Sequence, residues 1–312
     1  MAHFKKDKIT KNTKRTVIGI LKAALIVEIS FIIAMPLINV IVRSLMDITD
    51  FYDPLVYLIP KHFTLFNYQI AYKTLNYTGS LSRLVLYVGG LTALQIAVCS
   101  LVGYGFARFE IPFKKLLFGM VVFTVVVPSH LTLIPLYAQM RSFDIFGIYH
   151  LITGRPGINL LNTYAPTALM TLTGAGLRSG LFIFLFRQSF KGMPLSLEEA
   201  AMIDGAGYGR TFIKIMLPNA IPVIVTVLLL SFVWQYNDTL YTSQFMSSVE
   251  FLSNKLEAMA GNLRNSTNFL DMKQIELITN AGVVLTLLPL VVIYLALQRF
   301  FVEGVERSGI VG

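Results

Sequence analysis

Apolar positions along this chain gather into six long runs, roughly 17–42, 84–107, 116–140, 165–190, 218–236 and 279–301. About 20 consecutive apolar residues make one bilayer crossing, and inside lipid the backbone of a helix satisfies its own hydrogen bonds. The pattern predicts an all-α membrane protein with six transmembrane helices. The runs contain Pro or Gly, for example Pro36, Gly89, Gly90, Pro128, Gly180, Pro222 and Pro289. Such residues permit kinks and close helix approach, because neighbouring helices re-satisfy the freed backbone groups.

One polar stretch is unusually organised. Residues 199–218, EAAMIDGAGYGRTFIKIMLP, carry two short helix patterns joined by glycines, between the fourth and fifth runs. Ser196 to Glu199 has capping-box form, with Ser196 at the N-cap and Glu199 at N3. Pro194 suits a helix start, and Gly205 lies where a C′ glycine ends a helix. A first helix is therefore expected from about Leu197 to Asp204. Ala200 and Ala201 flatten part of its surface, and Glu198, Glu199 and Asp204 around it suit basic groups on a partner. In the second pattern Tyr208, Phe212 and Ile215 form an apolar stripe, with Arg210 and Lys214 on another face. Pro218 ends that helix and opens the fifth run. A push on the first helix would pass through the second into the base of the fifth span.

Composition fits a bilayer: 55% of residues are hydrophobic and 14% charged, where a soluble chain carries about 25% charged residues. The net charge of +9 would suit nucleic acid, but Lys and Arg cluster at the ends of the apolar runs, so no nucleic-acid partner is expected. Basic residues crowd the N-terminal tail (Lys5, Lys6, Lys8, Lys11, Lys14, Arg15), the loop after run two (Arg108, Lys114, Lys115) and the loop after run four (Arg187, Lys191, Arg210, Lys214). The alternate loops are poorer in them. Both termini and the 199–218 segment are thus expected in the cytoplasm of a bacterial cell, beneath its plasma membrane. The first run exceeds a signal-peptide core of about 7–15 residues and reads as a membrane helix. Residues 1–16 are expected as a cytoplasmic basic tail and 17–312 as the transmembrane domain, with a core of about 80–301 and a coupling loop at 191–217. Cys99 is alone in an apolar run, and His3, His62, His130 and His150 have no ligand spacing, so no metal site is expected. No paired carboxylates or nucleophile–base arrangement suggest catalysis.

With EAA at 199–201, Gly205 and I-x-L-P at Ile215, Leu217 and Pro218, the chain resembles the carbohydrate permeases of ABC importers, of the type of the maltose transporter's smaller permease. The resemblance covers most of the chain, from Pro54 to Gly304. It includes FTLFNYQIA (63–71), YGFARFEIPFKK (104–115), IPLY (134–137), LNTY (161–164), FLFRQSFKGMP (184–194) and FVWQYNDTL (232–240). The stretch DITDFYDPLVYLIPKHFTLFNY looks most like a subgroup associated with larger or modified oligosaccharides, including uronic-acid and lipo-oligosaccharide importers. Two departures stand out. The usual Trp-Asn of the fifth span is Tyr236-Asn237 here, and 142–157 is longer than usual.

The resemblance implies the type I importer fold and a set of partners: a second permease, an ABC ATPase dimer that binds ATP and Mg, and an external solute-binding protein. No Walker A sequence occurs in the chain, so the ATPase is a separate chain and this one binds no cofactor. The coupling residues would be Glu198, Glu199, Ala200, Ala201, Asp204, Gly205, Ile215, Leu217 and Pro218.

Possible path residues are polar or aromatic groups inside the runs. Trp234, Tyr236, Asn237 and Asp238 suit sugar rings and hydroxyls, although the reading favoured here is an interface anchor and a helix cap. Glu28 lies about 16 Å into the first run, where it lines a path or, the reading favoured here, makes a structural pair within the bundle. Arg187 is expected at the cytoplasmic boundary. Arg178 lies deeper, where its charge suits an anionic sugar. The tail 305–312 either reaches toward the ATPases or is disordered. The competing functions are a permease for a non-sugar solute, a stand-alone secondary carrier, which would show internal pseudo-symmetry, and an integral-membrane enzyme.

Overall fold

The computed structural model describes residues 2–266 and 271–309. Among them the secondary structure is helical, with two isolated bridges, Met46 to Phe63 and Phe143 to Ile158. Three helices are long and apolar enough to cross a membrane: Val17–Ser44 within α1 (Ala2–Ser44), α4 (Tyr77–Arg108) and Met272–Ala296 within α16 (Met272–Gly309). Two bent helix pairs raise the number to as many as five if each pair is one span. Helices α5 (Lys114–Val126) and α6 (Ser129–Arg141) meet at 102°, and the segment Tyr208–Asn219 meets α13 (Ile221–Tyr236) at 77°.

These breaks correct the expected run of single helices. Run 116–140 turns at Val127 and Pro128. Proline lacks an N–H, and the residue before it is driven to extended backbone, here Val127 at ψ 121. Run 165–190 is also divided, into α8 (Ala165–Leu172) and α9 (Ser179–Gly192). Gly174, at φ +74, closes α8 as a Schellman cap: its N–H donates to Thr171 O at 3.0 Å, and Ala175 N–H to Met170 O at 2.8 Å.

The chain divides into two compact units. One comprises residues 1–74 and 260–285. In it Asn67, fully buried, donates to Ser44 O at 3.1 Å and Met46 O at 2.9 Å, and accepts from Gln274 at 2.8 Å. Asp50 is buried and accepts from the His62 N–H at 2.6 Å and shares a 2.7 Å bond with the His62 ring. Burial opposes ionisation of Asp50, but these contacts and the His62 charge hold its carboxyl below the ordinary value. The stretch after α1 thus holds α2 (Ile48–Tyr52) and α3 (Phe66–Leu75), pinned by buried polar bonds. Every side chain from position 17 to 33 is exposed, Glu28 among them, and Glu28 makes no ion pair among the described residues. Among the described residues the structural pair expected for Glu28 within the bundle is therefore absent.

The other unit comprises 75–259 and 286–312 and contains the main core. Along α4 the buried positions Ser80, Leu84, Val88, Thr92, Gln95, Cys99 and Gly103 fall three or four apart, one face of a helix. They meet the α9 face of Phe182, Ile183, Phe186 and Phe190. A Cβ at Gly103 would lie 2.6 Å from Phe186 Cβ, so only glycine allows this approach. A polar seam runs through the apolar packing. Gln95 donates to Leu177 O at 2.7 Å and accepts from Ser231 at 2.7 Å and Gln235 at 2.9 Å. In a low-dielectric interior such a hydrogen-bonded seam specifies which helix faces meet.

Candidate functional site

The polar segment between α9 and α13 is ordered throughout. α10 runs Ser196–Ile203. Its N-cap position is Leu195 with helical backbone and no side-chain cap, so the expected Ser196 capping box does not form. The reason lies in tertiary contact. Glu198 is drawn inward, and Arg108 Nε, at the end of α4, donates to it at 2.5 Å. Both side chains are 8% exposed. Tyr104 OH donates to the second Glu198 oxygen at 3.3 Å, and Arg108 Nη2 donates to Met193 O at 2.8 Å. A buried pair with its remaining valences satisfied is stable, whereas either member alone would be costly.

The expected stop at Gly205 is present. Gly205 has φ +77 and donates to Met202 O at 3.0 Å, and Ala206 donates to Ala201 O at 2.9 Å. This is a second Schellman cap. Ala201 is buried, not part of an outer flat surface. The outward face of α10 is instead Glu199, Ala200, Met202, Ile203 and Asp204, with Ile203 86% exposed.

Beyond Gly207 the chain makes one helical turn, α11 (Tyr208–Thr211), then a π-helix at Phe212–Met216, then α12 (Leu217–Asn219). The π turn shifts the buried face. Thr211 and Met216, five apart, are buried, while Tyr208 is 58% exposed and Ile215 is half-buried. The expected stripe of Tyr208, Phe212 and Ile215 is thus redistributed. Phe212 packs its ring 5.0 Å from Tyr104 and 6.1 Å from Phe190, and Tyr208 lies edge-on to Phe109 at 5.4 Å. Leu217 is half-buried and Pro218 exposed, just before the bend into α13. Arg210 and Lys214 are exposed as expected.

The second region lies where the broken spans meet. A cleft of about 430 Å³ is lined by residues on both sides of the α5/α6 break and by the 174–180 segment, including Arg178. Arg178 is exposed, and its guanidinium stands 5.6 Å from the Trp234 ring centre. Trp234 in turn stacks on Phe182 at 5.7 Å. Among the other expected path residues, Tyr236 is fully buried and donates to Thr286 O at 3.0 Å, which makes it a core residue and not a path lining. Asn237 is exposed and donates to Val233 O at 2.8 Å, a helix-end bond. Asp238 accepts from the Tyr241 N–H at 3.2 Å as a local cap, and lines a small side cavity of about 20 Å³. Gln235, which lines the same cavity, carries little sequence signal; only its place in an otherwise apolar run marks it. The tail 310–312 lies outside the described residues.

Comparisons with known proteins agree with this architecture. The family model described as "Binding-protein-dependent transport system inner membrane component" matches residues 99–307. A probable ABC transporter permease protein of Pyrococcus horikoshii is 31% identical over 68% of this chain and 68% of its own length. The melibiose/raffinose/stachyose import permease of Bacillus subtilis is 26% identical over 82% of this chain and 84% of its own. A chain of a bacterial ABC transporter involved in import of the acidic polysaccharide alginate shares the fold, at TM-score 0.67 and 20% identity, covering 91% of this chain and 96% of that one. The fold is that of type I ABC importer permeases, and the chain belongs to the family of binding-protein-dependent transport system inner membrane components.

Proposed function

We propose that this chain is one of two paired permease subunits of an ATP-driven importer that takes up carbohydrate, in particular oligosaccharides, from an external solute-binding protein. The observation that carries the proposal is α10. It is clamped from behind through Arg108 and Glu198, yet presents Glu199, Ile203 and Asp204 outward, exposed among the described residues. An exposed, acidic and apolar patch on a rigid short helix suits docking on another protein. The sugar assignment is supported by sugar-importing relatives such as the melibiose permease.

In this reading the docked partner is a separate ABC ATPase, which holds ATP and Mg; the permease holds no cofactor. Both chain ends and α10 lie on the cytoplasmic side. ATP-driven closure of the ATPases displaces α10. The buried Arg108–Glu198 pair carries the displacement into α4, and the π turn carries it into α13. The cleft at the broken spans then changes which side of the membrane it faces. Catalysis of hydrolysis stays with the ATPase.

The test is reconstitution in liposomes with the second permease, the ATPase and the binding protein. ATP-dependent uptake of an oligosaccharide is expected from the complete set, and neither hydrolysis nor uptake from this chain alone. Glu199→Lys is expected to reduce uptake at least tenfold while the complex still inserts. Uptake by the single chain would reject the subunit reading, and uptake of only non-sugar solutes would reject the substrate class.

A further inference from the structure

We propose that Arg178 makes the cleft selective for sugars bearing an oxyanion, a carboxylate or a phosphate; this rests on the carbohydrate-import reading above. The depth of the site is the first argument. From the ends nearest α10, α9 extends 14 residues to Ser179, about 21 Å, and α5 extends 13 residues from Lys114, about 20 Å. Both breaks therefore lie at similar depth, inside a hydrocarbon layer about 30 Å thick. Non-helical backbone at that depth persists only where it is enclosed by protein or lines a water-filled cavity. Here both breaks line the same cleft.

Charge is the second argument. Among the residues lining the cleft, Arg178 alone is charged, and it forms no ion pair with a carboxylate among the described residues. A neighbouring cleft of about 500 Å³ offers a contrast: its Arg83 is already paired with Glu250 at 3.2 Å. An exposed guanidinium that lines the cleft with no carboxylate paired to it among the described residues attracts anions, and its planar fork suits carboxylate and phosphate. The third argument is presentation. Arg178 has φ +59, a left-handed backbone that a non-glycine residue adopts only at a cost. It immediately precedes α9, whose first residues Ser179 and Gly180 also line the cleft, so the helix dipole reinforces the positive field. The Trp234 ring holds the guanidinium by a cation–π contact. Finally, the side cavity shares Met170, Gly176, Leu177 and Tyr241 with the cleft, and Gln235 Oε1 in its wall is buried without a hydrogen-bond partner, an acceptor for a bridging water.

The experiment uses the complete reconstituted importer with wild-type Arg178, Arg178→Gln or Arg178→Lys. The probes are trigalacturonate, its carboxyl-reduced neutral trisaccharide, and galactose 1-phosphate. Wild type is expected to prefer one anionic probe over the neutral sugar, the choice of probe deciding between carboxylate and phosphate. Arg178→Gln is expected to lower uptake of that probe roughly 10- to 100-fold, the value of a lost charge-assisted hydrogen bond, with neutral uptake within about twofold. Arg178→Lys is expected to fall between. Equal losses on all probes would make Arg178 structural and overturn the assignment. A wild type that takes up the neutral sugar without anion preference overturns the assignment alone. A wild type that takes up none of the three overturns the carbohydrate reading as well.

Discussion

Two adjacent glutamates at the start of α10 have opposite roles. Glu198 faces inward onto Arg108 and Tyr104, and Glu199 faces out. Glu198→Gln leaves Arg108 as a buried, unpaired charge. It is expected to cost about 3–5 kcal/mol and to lower the melting temperature of the detergent-solubilised chain. Glu199→Gln is expected to leave that temperature unchanged and to weaken ATPase-coupled uptake; equal melting temperatures for the two variants would contradict the division. Gly205→Val puts a β-branched residue at φ +77, where backbone strain rather than space is the obstacle. A loss of about 1–3 kcal/mol, with hydrolysis uncoupled from uptake, is expected. The need for glycine at 205 was legible from its place after a helical pattern. The split between 198 and 199 was not, because it depends on Arg108, ninety positions earlier in the chain.

At the level of elements, the close contact of α4 and α9 rests on Gly103. Gly103→Leu must push Phe186 and the α9 backbone away, since even a Cβ would lie 3.0 Å from Arg187 N. Loss of folded protein in detergent is expected, with Gly103→Ala costing about 1–3 kcal/mol as overpacking. Normal stability of the leucine variant would show that the helices part more easily than their packing implies. The apolar runs located these helices, and Pro128 was legible as a residue that permits a kink, but the break of run 165–190 at Gly174 was not. What hydrophobicity could not reveal was that both breaks occur at one depth around one cleft. An apolar run has the same average hydropathy whether it is one helix or two. The π turn at Phe212–Met216 was equally hidden, because i, i+4 and i+7 spacing presupposes an unbroken α-helix.

For the molecule as a whole, one face is conspicuously unfinished. The first membrane helix exposes every side chain from position 17 to 33, including the intramembrane Glu28. A carboxylate at that depth demands a partner or water. Within the importer proposed above, Glu28→Gln is expected to weaken co-purification of the second permease without altering the isolated chain. Unchanged co-purification would mean that Glu28 faces water or lipid headgroups.

The sequence alone determined that the chain spans a membrane as helices and where α10 ends. Those properties follow from local composition and short-range spacing: apolar length sets the spans, and a left-handed backbone requires glycine. Tertiary structure decided that Glu198 is a clamp, that Tyr236 belongs to the core, and that Arg178 stands unpaired in a cleft between broken helices. Each of these depends on which distant residue fills the space beside a side chain. Burial and pairing are properties of that neighbour, and the order of residues along one segment does not contain it.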